Sequence, residues 1–293
     1  MPTTYNDACR IPLEPGQAVS AGWTSATGGR PLGVTWHWTA TWDLALCRDT
    51  LGGAHAERKG EASAHYGVGR TAAEGVDRYV ALENRSWHAG INQTLRWDGQ
   101  ALTDGRFKGS RTTIGVETVD IGNARSGVAG KPDWILAASA DGKHAMRIQP
   151  WPPEQIAMMV DVGQEIVARW PQIRVRDHHG HSDICPSYKI DPIGFPFALV
   201  LRGVYDDPAI PDVWTPLLTA TQRQNALIAL GYDLGPTGAD GDWGHRSDGA
   251  LRRFQAEHGM VTNGMWSTFT CWRVFDALEA RRLDLAVVAG SPL

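Results

Sequence analysis

GHSDICPSYKIDP, residues 180–192, places His181, Lys189 and Asp191 in one Gly- and Pro-interrupted segment. A neutral imidazole and a carboxylate both ligate Zn²⁺, and a lysine between them can face the same ion. A catalytic zinc site keeps three protein ligands and one open position, so a third donor must come from elsewhere in the chain. His37 is the upstream candidate. It lies in VTWHWTA, where Val34, Trp36 and Trp38 alternate with Thr35, His37 and Thr39, which predicts a strand with the histidine on its polar face.

Competing donors surround the segment. His178 and His179 precede it, and Cys185 offers a thiolate four residues after His181. Taken alone, any one of these histidines reads as a surface or hydrogen-bonded residue, and spacing does not choose among them. Lys189 and Asp191 leave the same face of an extended segment. An ammonium there can stabilise the oxyanion of a tetrahedral intermediate. In TTIGVETV (112–119), Ile114 and Val116 share one strand face and Glu117 points to the other, beside Gly115, which leaves room for a ligand. A carboxylate near an activated water can take its proton and pass it to a leaving amine.

Further strands are expected at 64–70 and 77–82, around a turn containing Gly75, and residues 120–150 read as an elaborated loop. Ile156, Met159, Val160, Gly163, Val167 and Trp170 recur at helical spacing between flanking prolines, predicting a helix from Pro153 to Trp170. FALVLRGVY (197–205) fits a helix or a strand. Residues 177–196 read as a loop, and residues 1–30 as an irregular arm.

DDPAIPDVWTP (206–216) carries three prolines and reads as a linker. Behind it TQRQNALIALG ends at Gly231, a C-cap candidate. A second helix holds Ala250, Leu251 and Phe254, and Ser267 could cap a third with Trp272, Phe275 and Leu278. The division is therefore 1–205, 206–216 and 217–293, and the fold class is α/β: a mixed β-sheet flanked by helices, plus a small all-α three-helix domain.

The 293 residues carry 42% hydrophobic and 20% charged side chains, a soluble globular balance that exceeds one average domain. A net charge of −4 without a basic stripe speaks against nucleic acid as a partner. No run is long enough to insert in a membrane. The first residues, MPTTYNDACRIPLEPG, have neither a basic nor an apolar leader region, so synthesis in a cytosol with free Cys9, Cys47, Cys185 and Cys271 is the expectation. Most of the thirteen tryptophans are expected in the core, and some could line a sugar cleft.

Taken together, WHWTA with His37, AHYGVGR with His65, SWHAG with Trp87 and His88, TTIGVE with Glu117, and GHSDICPSYKIDP resemble, in order, the motifs of type-2 N-acetylmuramoyl-L-alanine amidases over residues 30–197. That family includes phage lysins and muropeptide-trimming enzymes and is related to peptidoglycan-recognition proteins. The resemblance implies Zn²⁺ held by His37, His181 and Asp191, Glu117 as the proton-handling carboxylate and Lys189 as oxyanion stabiliser. It also implies His65, Trp87 and His88 along the substrate cleft. Some relatives use a tyrosine just before the histidine of the HY motif; here that position is Ala64. Cys185, Ser187 and Tyr188 depart from the usual Ala, Gly and Arg, and the glycine after Asp-Pro is displaced to Gly194.

Residues 222–278 likewise resemble a three-helix peptidoglycan-binding domain through Leu230, Gly231, Tyr232, Asp240, Gly241, Gly244, Ala250, Leu251, Phe254 and Gln255. The expected partner is peptidoglycan, both glycan strand and stem peptide. The expected role is a phage or prophage endolysin, made in the cytoplasm and reaching the wall when a separate membrane-permeabilising protein acts. A cytosolic muropeptide-recycling amidase and a non-catalytic recognition protein are the alternatives. A two-carboxylate glycosidase would leave the DHHGHSD cluster without a role.

Overall fold

The computed structural model describes residues 2–14, 17–52, 62–89, 109–123, 130–186 and 189–290. Ser187 and Tyr188, two of the departures from the family pattern, and Gly90 of the SWHAG motif lie outside them. The centre is a six-stranded mixed sheet of β1 (Tyr5–Asn6), β3 (Gly33–Trp38), β4 (Tyr66–Val68), β5 (Val76–Arg78), β7 (Thr113–Thr118) and β10 (His178–Gly180), in the order β1-β5-β4-β7-β3-β10. β10, β3, β7 and β4 run parallel to their neighbours, and β4 meets β5 antiparallel.

One face of this sheet is apolar because of the alternation in β3 and β7. Val34, Trp36, Ile114 and Val116 are fully buried and share one core with Met158, Met159, Val162 and Ile166 of helix α2 (Pro153–Arg169). α2 begins with a proline in its first turn, where the missing N–H costs nothing. Helix α4 (Phe197–Tyr205) packs on α2 at two glycines: a Cβ on Gly163 would lie 2.2 Å from Val204, and one on Gly203 2.6 Å from Val160. The segment that fits helix or strand is thus a helix, held by that close contact.

Three expectations are corrected. The arm before residue 30 contributes edge strand β1 and strand β2 (Val19–Ser20), which pairs antiparallel with β6 (Arg85–Ser86). The 120–150 loop contains a hairpin of β8 (Ile135–Ala138) and β9 (Ala145–Ile148), turning through the Asp141-Gly142 pair that flags such turns. The 177–196 loop supplies β10 and the single-turn helix α3 (His181–Ile184). Among the described residues the C-terminal part holds the three expected helices, α5 (Ala220–Ala229), α6 (His245–Glu257) and α7 (Thr268–Glu279), followed by the short α8 (Leu285–Ala289).

Their caps follow the sequence. Thr219 and Gln222 form a reciprocal capping box at α5. Ser267 accepts from Thr270 at the start of α7, and Gly231 takes the left-handed conformation after α5. Residues 206–216 connect the two parts but are no free tether: Ile210, Val213 and Trp214 are buried, and Trp214 stacks on Phe197 at 5.1 Å and meets Trp272 edge-on at 5.2 Å. One apolar core therefore runs from the sheet through these residues into α5–α8. All four cysteines are buried, and none is in a disulfide. No described helix is long and apolar enough to cross a membrane, and Trp42 is the one exposed tryptophan among the described residues.

Candidate metal centre

Parallel pairing of β3 with β7 sets His37 directly opposite Glu117, so both side chains leave the polar face of the sheet together. On the other side of β3, β10 ends at Gly180, level with Trp36, and His181 opens α3 one residue later. The chain then returns, and the Ser182 N–H donates to the Asp191 carbonyl at 2.7 Å. That bond closes the ten-residue gap between His181 and Asp191. The site thus sits at the carboxyl ends of parallel strands, where α/β sheets open a crevice.

Asp191 Oδ2 lies 3.2 Å from His37 Nδ1 and 3.2 Å from His181 Nδ1. His37, His181 and Asp191 are 1%, 4% and 7% exposed. Among the described residues they are the one group of metal-capable side chains whose ligating atoms lie within 4.8 Å of one another.

The hydrogen bonds behind His37 fix its tautomer. His88 Nε2 is 2.9 Å from the Thr113 carbonyl, which can only accept, so that nitrogen carries the proton. His88 Nδ1 is then the acceptor for His37 Nε2–H, 3.0 Å away. His37 Nδ1 is therefore a bare lone pair, aimed at a carboxylate oxygen. Burial, with His181 adding to it, pushes the His37 pKa down to about 4 against the opposing pull of Asp191, so a proton does not bridge the two at neutral pH. Two lone pairs at this distance repel unless a cation lies between them. His181 Nε2, buried with no hydrogen-bond partner among the described residues, adds a second orphaned donor atom to the site. Two imidazoles and one carboxylate, with an unpaired nitrogen on each ring, fit a divalent cation of zinc type.

Glu117 Oε1 stands 3.7 Å from His37 Nδ1 and is 6% exposed. Burial, and then the Asp191 charge, raise its pKa well above the ordinary value while Lys189 opposes the rise. Lys189 is half-buried, with its field on both Glu117 and His37.

The three residues expected along the cleft fall in different places. His65 is fully buried and stacked on Trp23; its Nδ1 accepts from the Gly115 N–H at 3.0 Å and its Nε2 meets the Asn84 carbonyl at 3.1 Å. That puts it in the core, with both nitrogens engaged. His88 stands behind His37 and orients it, as ligand-supporting groups do. Its ring occupies the space left by Gly115, where a Cβ would come within 2.3 Å; the room read as a ligand's belongs to His88. Trp87 is half-buried, with its indole N–H on Ser20 Oγ at 3.0 Å. The rival donors point elsewhere: His178 joins Trp36 and Tyr205, His179 joins Thr35, and the Cys185 thiol is buried against the Ala89 carbonyl. Sequence reasoning missed the orienting role of His88, for which a glycine on the neighbouring strand was the available signal.

Buried neutral histidines make the fold acid-sensitive. Burial lowers the His65 pKa to about 4 and the His178 pKa to about 3. An unfolded histidine binds a proton as pH falls through about 6.5, whereas these rings stay neutral until about pH 4 and about pH 3. The unfolded state binds more protons in that window, so stability falls with pH. By pH 5 each ring costs up to about 2 kcal/mol. The urea midpoint of zinc-free protein should therefore drop markedly from pH 7.5 to pH 5, and a flat midpoint would contradict the buried neutral rings.

A model of the N-acetylmuramoyl-L-alanine amidase family matches residues 27–194, and one of a peptidoglycan binding domain matches residues 221–271. No curated protein matches the chain. Among solved structures it is similar to the N-acetylmuramyl-L-alanine amidase AmiD from E. coli, in complex with the substrate anhydro-N-acetylmuramic acid-L-Ala-D-gamma-Glu-L-Lys. The identity is 21% and the TM-score 0.47, over 87% of this chain and 92% of that one. AmpDH3 from Pseudomonas aeruginosa follows at 20% identity and TM-score 0.44, over 86% and 93%. The PlyG catalytic domain stands at 17% and 0.42, over 70% and 96%.

Proposed function

The chain belongs to the N-acetylmuramoyl-L-alanine amidase family, and from that premise we propose a zinc-dependent enzyme that cleaves the amide between N-acetylmuramic acid and L-alanine in intact peptidoglycan. Residues 1–205 form its catalytic part and residues 217–293 its wall-binding part, joined by 206–216. The observation that carries the zinc is the bare His37 Nδ1 facing the Asp191 carboxylate at 3.2 Å.

His37, His181 and Asp191 would hold the ion. Bound there, zinc supplies Lewis acidity, polarising the amide carbonyl and lowering the pKa of a water to about 7. Glu117 takes the proton released as the water oxygen bonds to the carbonyl carbon. A buried carboxyl with raised proton affinity holds that proton until the C–N bond breaks, then delivers it to the departing amine. Lys189 places positive charge beside the oxyanion while it exists. The products are a lactyl carboxylate on the glycan and a stem peptide with a free L-alanine amine. Of the proposed cleft trio His65, Trp87 and His88, half-buried Trp87 would offer substrate its indole face.

The peptidoglycan-binding part keeps the enzyme on its polymer and raises local substrate concentration. That economy suits a lytic enzyme acting on whole walls, an endolysin released by a membrane-permeabilising partner. Digestion of sacculi should liberate alanine amino groups with no gain in reducing ends, stop on chelation and resume on adding Zn²⁺. Reducing ends without new amines would overturn the amidase chemistry, and indifference to chelation would remove the metal. Cleavage of soluble fragments but not sacculi would favour a recycling enzyme, and binding without cleavage a recognition protein.

A further inference from the structure

The C-terminal helices are bonded into the catalytic part at its most sensitive point. Arg223 of α5, buried, donates to the Ser139 carbonyl at 2.7 Å and the Ala138 carbonyl at 3.2 Å, and Ala138 N–H donates back to Leu218 O at 2.7 Å. These bonds seat the module against the β8–β9 hairpin. The decisive contact is elsewhere. Asp183 lies two residues beyond His181, and its Oδ1 accepts from the Thr268 N–H at 2.9 Å. Thr268 is the first residue of α7, whose capping residue Ser267 is committed to Thr270. The leading N–H of α7 has no partner within its own helix, and the metal-binding turn satisfies it.

The other oxygen of the same carboxylate, Oδ2, accepts from the Gly180 N–H at 2.7 Å. Gly180 is the residue immediately before His181. One carboxylate therefore ties the backbone entering a metal ligand to a helix of the wall-binding module. α3 is only four residues long, too short to hold a fixed geometry by its own hydrogen bonds. Its orientation depends on what it is tied to.

We propose that Asp183 is a positioning residue through which α7 completes the metal centre, so that seating of the peptidoglycan-binding module sets the alignment of His181. This rests on the zinc reading above. The module is then a structural component of the active site as well as an anchor, and its contribution extends to soluble substrates that need no anchoring.

Thr268→Pro tests this on the full chain by removing both the N–H and the hydroxyl that Thr268 offers to Asp183. Proline is tolerated at the first helical position, and Ser267 already has the extended backbone that must precede a proline. Supporting bonds to ligands are worth about 10- to 100-fold in metal affinity. Thr268→Pro and Asp183→Asn should each weaken zinc binding by about that factor, and the double variant should be no worse than either single one. On a soluble muramoyl peptide kcat should fall with KM little changed, while Thr268→Ser, which keeps both the N–H and the hydroxyl, restores wild-type affinity. Binding of zinc-free Thr268→Pro to sacculi should stay at the wild-type level. Wild-type zinc affinity and kcat in folded Thr268→Pro, or additive losses in the double variant, would overturn the coupling. Should Thr268→Pro not fold, Asp183→Asn decides by the same two measurements. A wild-type protein that takes up no zinc would instead sink the underlying metal reading.

Discussion

Asp191→Ala is expected to abolish stoichiometric zinc uptake and to reduce hydrolysis to the level of the chelated wild type. Asp191 supplies the one negative charge in the trio and the single oxygen on which both imidazoles converge at 3.2 Å. Without it, a dication would face two neutral rings in a site only a few per cent exposed, and burying an unbalanced charge is costly. Metal content by elemental analysis, with amine release from sacculi, checks the outcome. Retention of one zinc per chain by Asp191→Ala would show that another residue holds the ion. Cys185→Ser makes the contrast, because the Cys185 thiol is turned to the Ala89 carbonyl; it should keep full metal occupancy.

Glu117→Gln should leave zinc in place and lower kcat by about 10²–10⁴, the usual worth of a general acid–base group. Glutamine preserves the shape of the side chain and its place opposite His37 on the paired strands, but it cannot accept and return a proton. Zinc content and KM should stay near wild type, which separates this variant from Asp191→Ala. A kcat within tenfold of wild type would remove Glu117 from the proton path. Loss of zinc on this substitution would make it a ligand instead.

Much of this architecture was legible in local patterns. The two-residue alternation of VTWHWTA and TTIGVETV placed His37 and Glu117 on polar strand faces, and both strands stand within a residue or so of the expected bounds. Helical spacing with proline punctuation located α2 to within one residue. Capping chemistry marked Ser267 and Gly231. Each of these is dictated by neighbours a few residues away. Where the signal was short or diluted by small residues, as in β1, β2, the β8–β9 hairpin and α8, the pattern was too brief to stand out from a loop, and pairing partners distant in sequence supplied the order.

The chemistry divides along the same line. By itself the sequence determined which donors were on offer, the motif order that marks the family, and the presence of a second, helical wall-binding part. Only the tertiary structure brought His37, His181 and Asp191 together: parallel register put His37 opposite Glu117, the Ser182–Asp191 bond folded the GHSD turn onto the Asp-Pro turn, and core contacts drew His178, His179 and Cys185 away. It also moved His65 into the core, set His88 behind His37, and tied the turn that carries His181 to α7 through Asp183. The grouping of donors, the tautomer and module docking all depend on distances between residues tens to hundreds of positions apart. Such distances follow from strand register and close packing, which no local window of sequence contains.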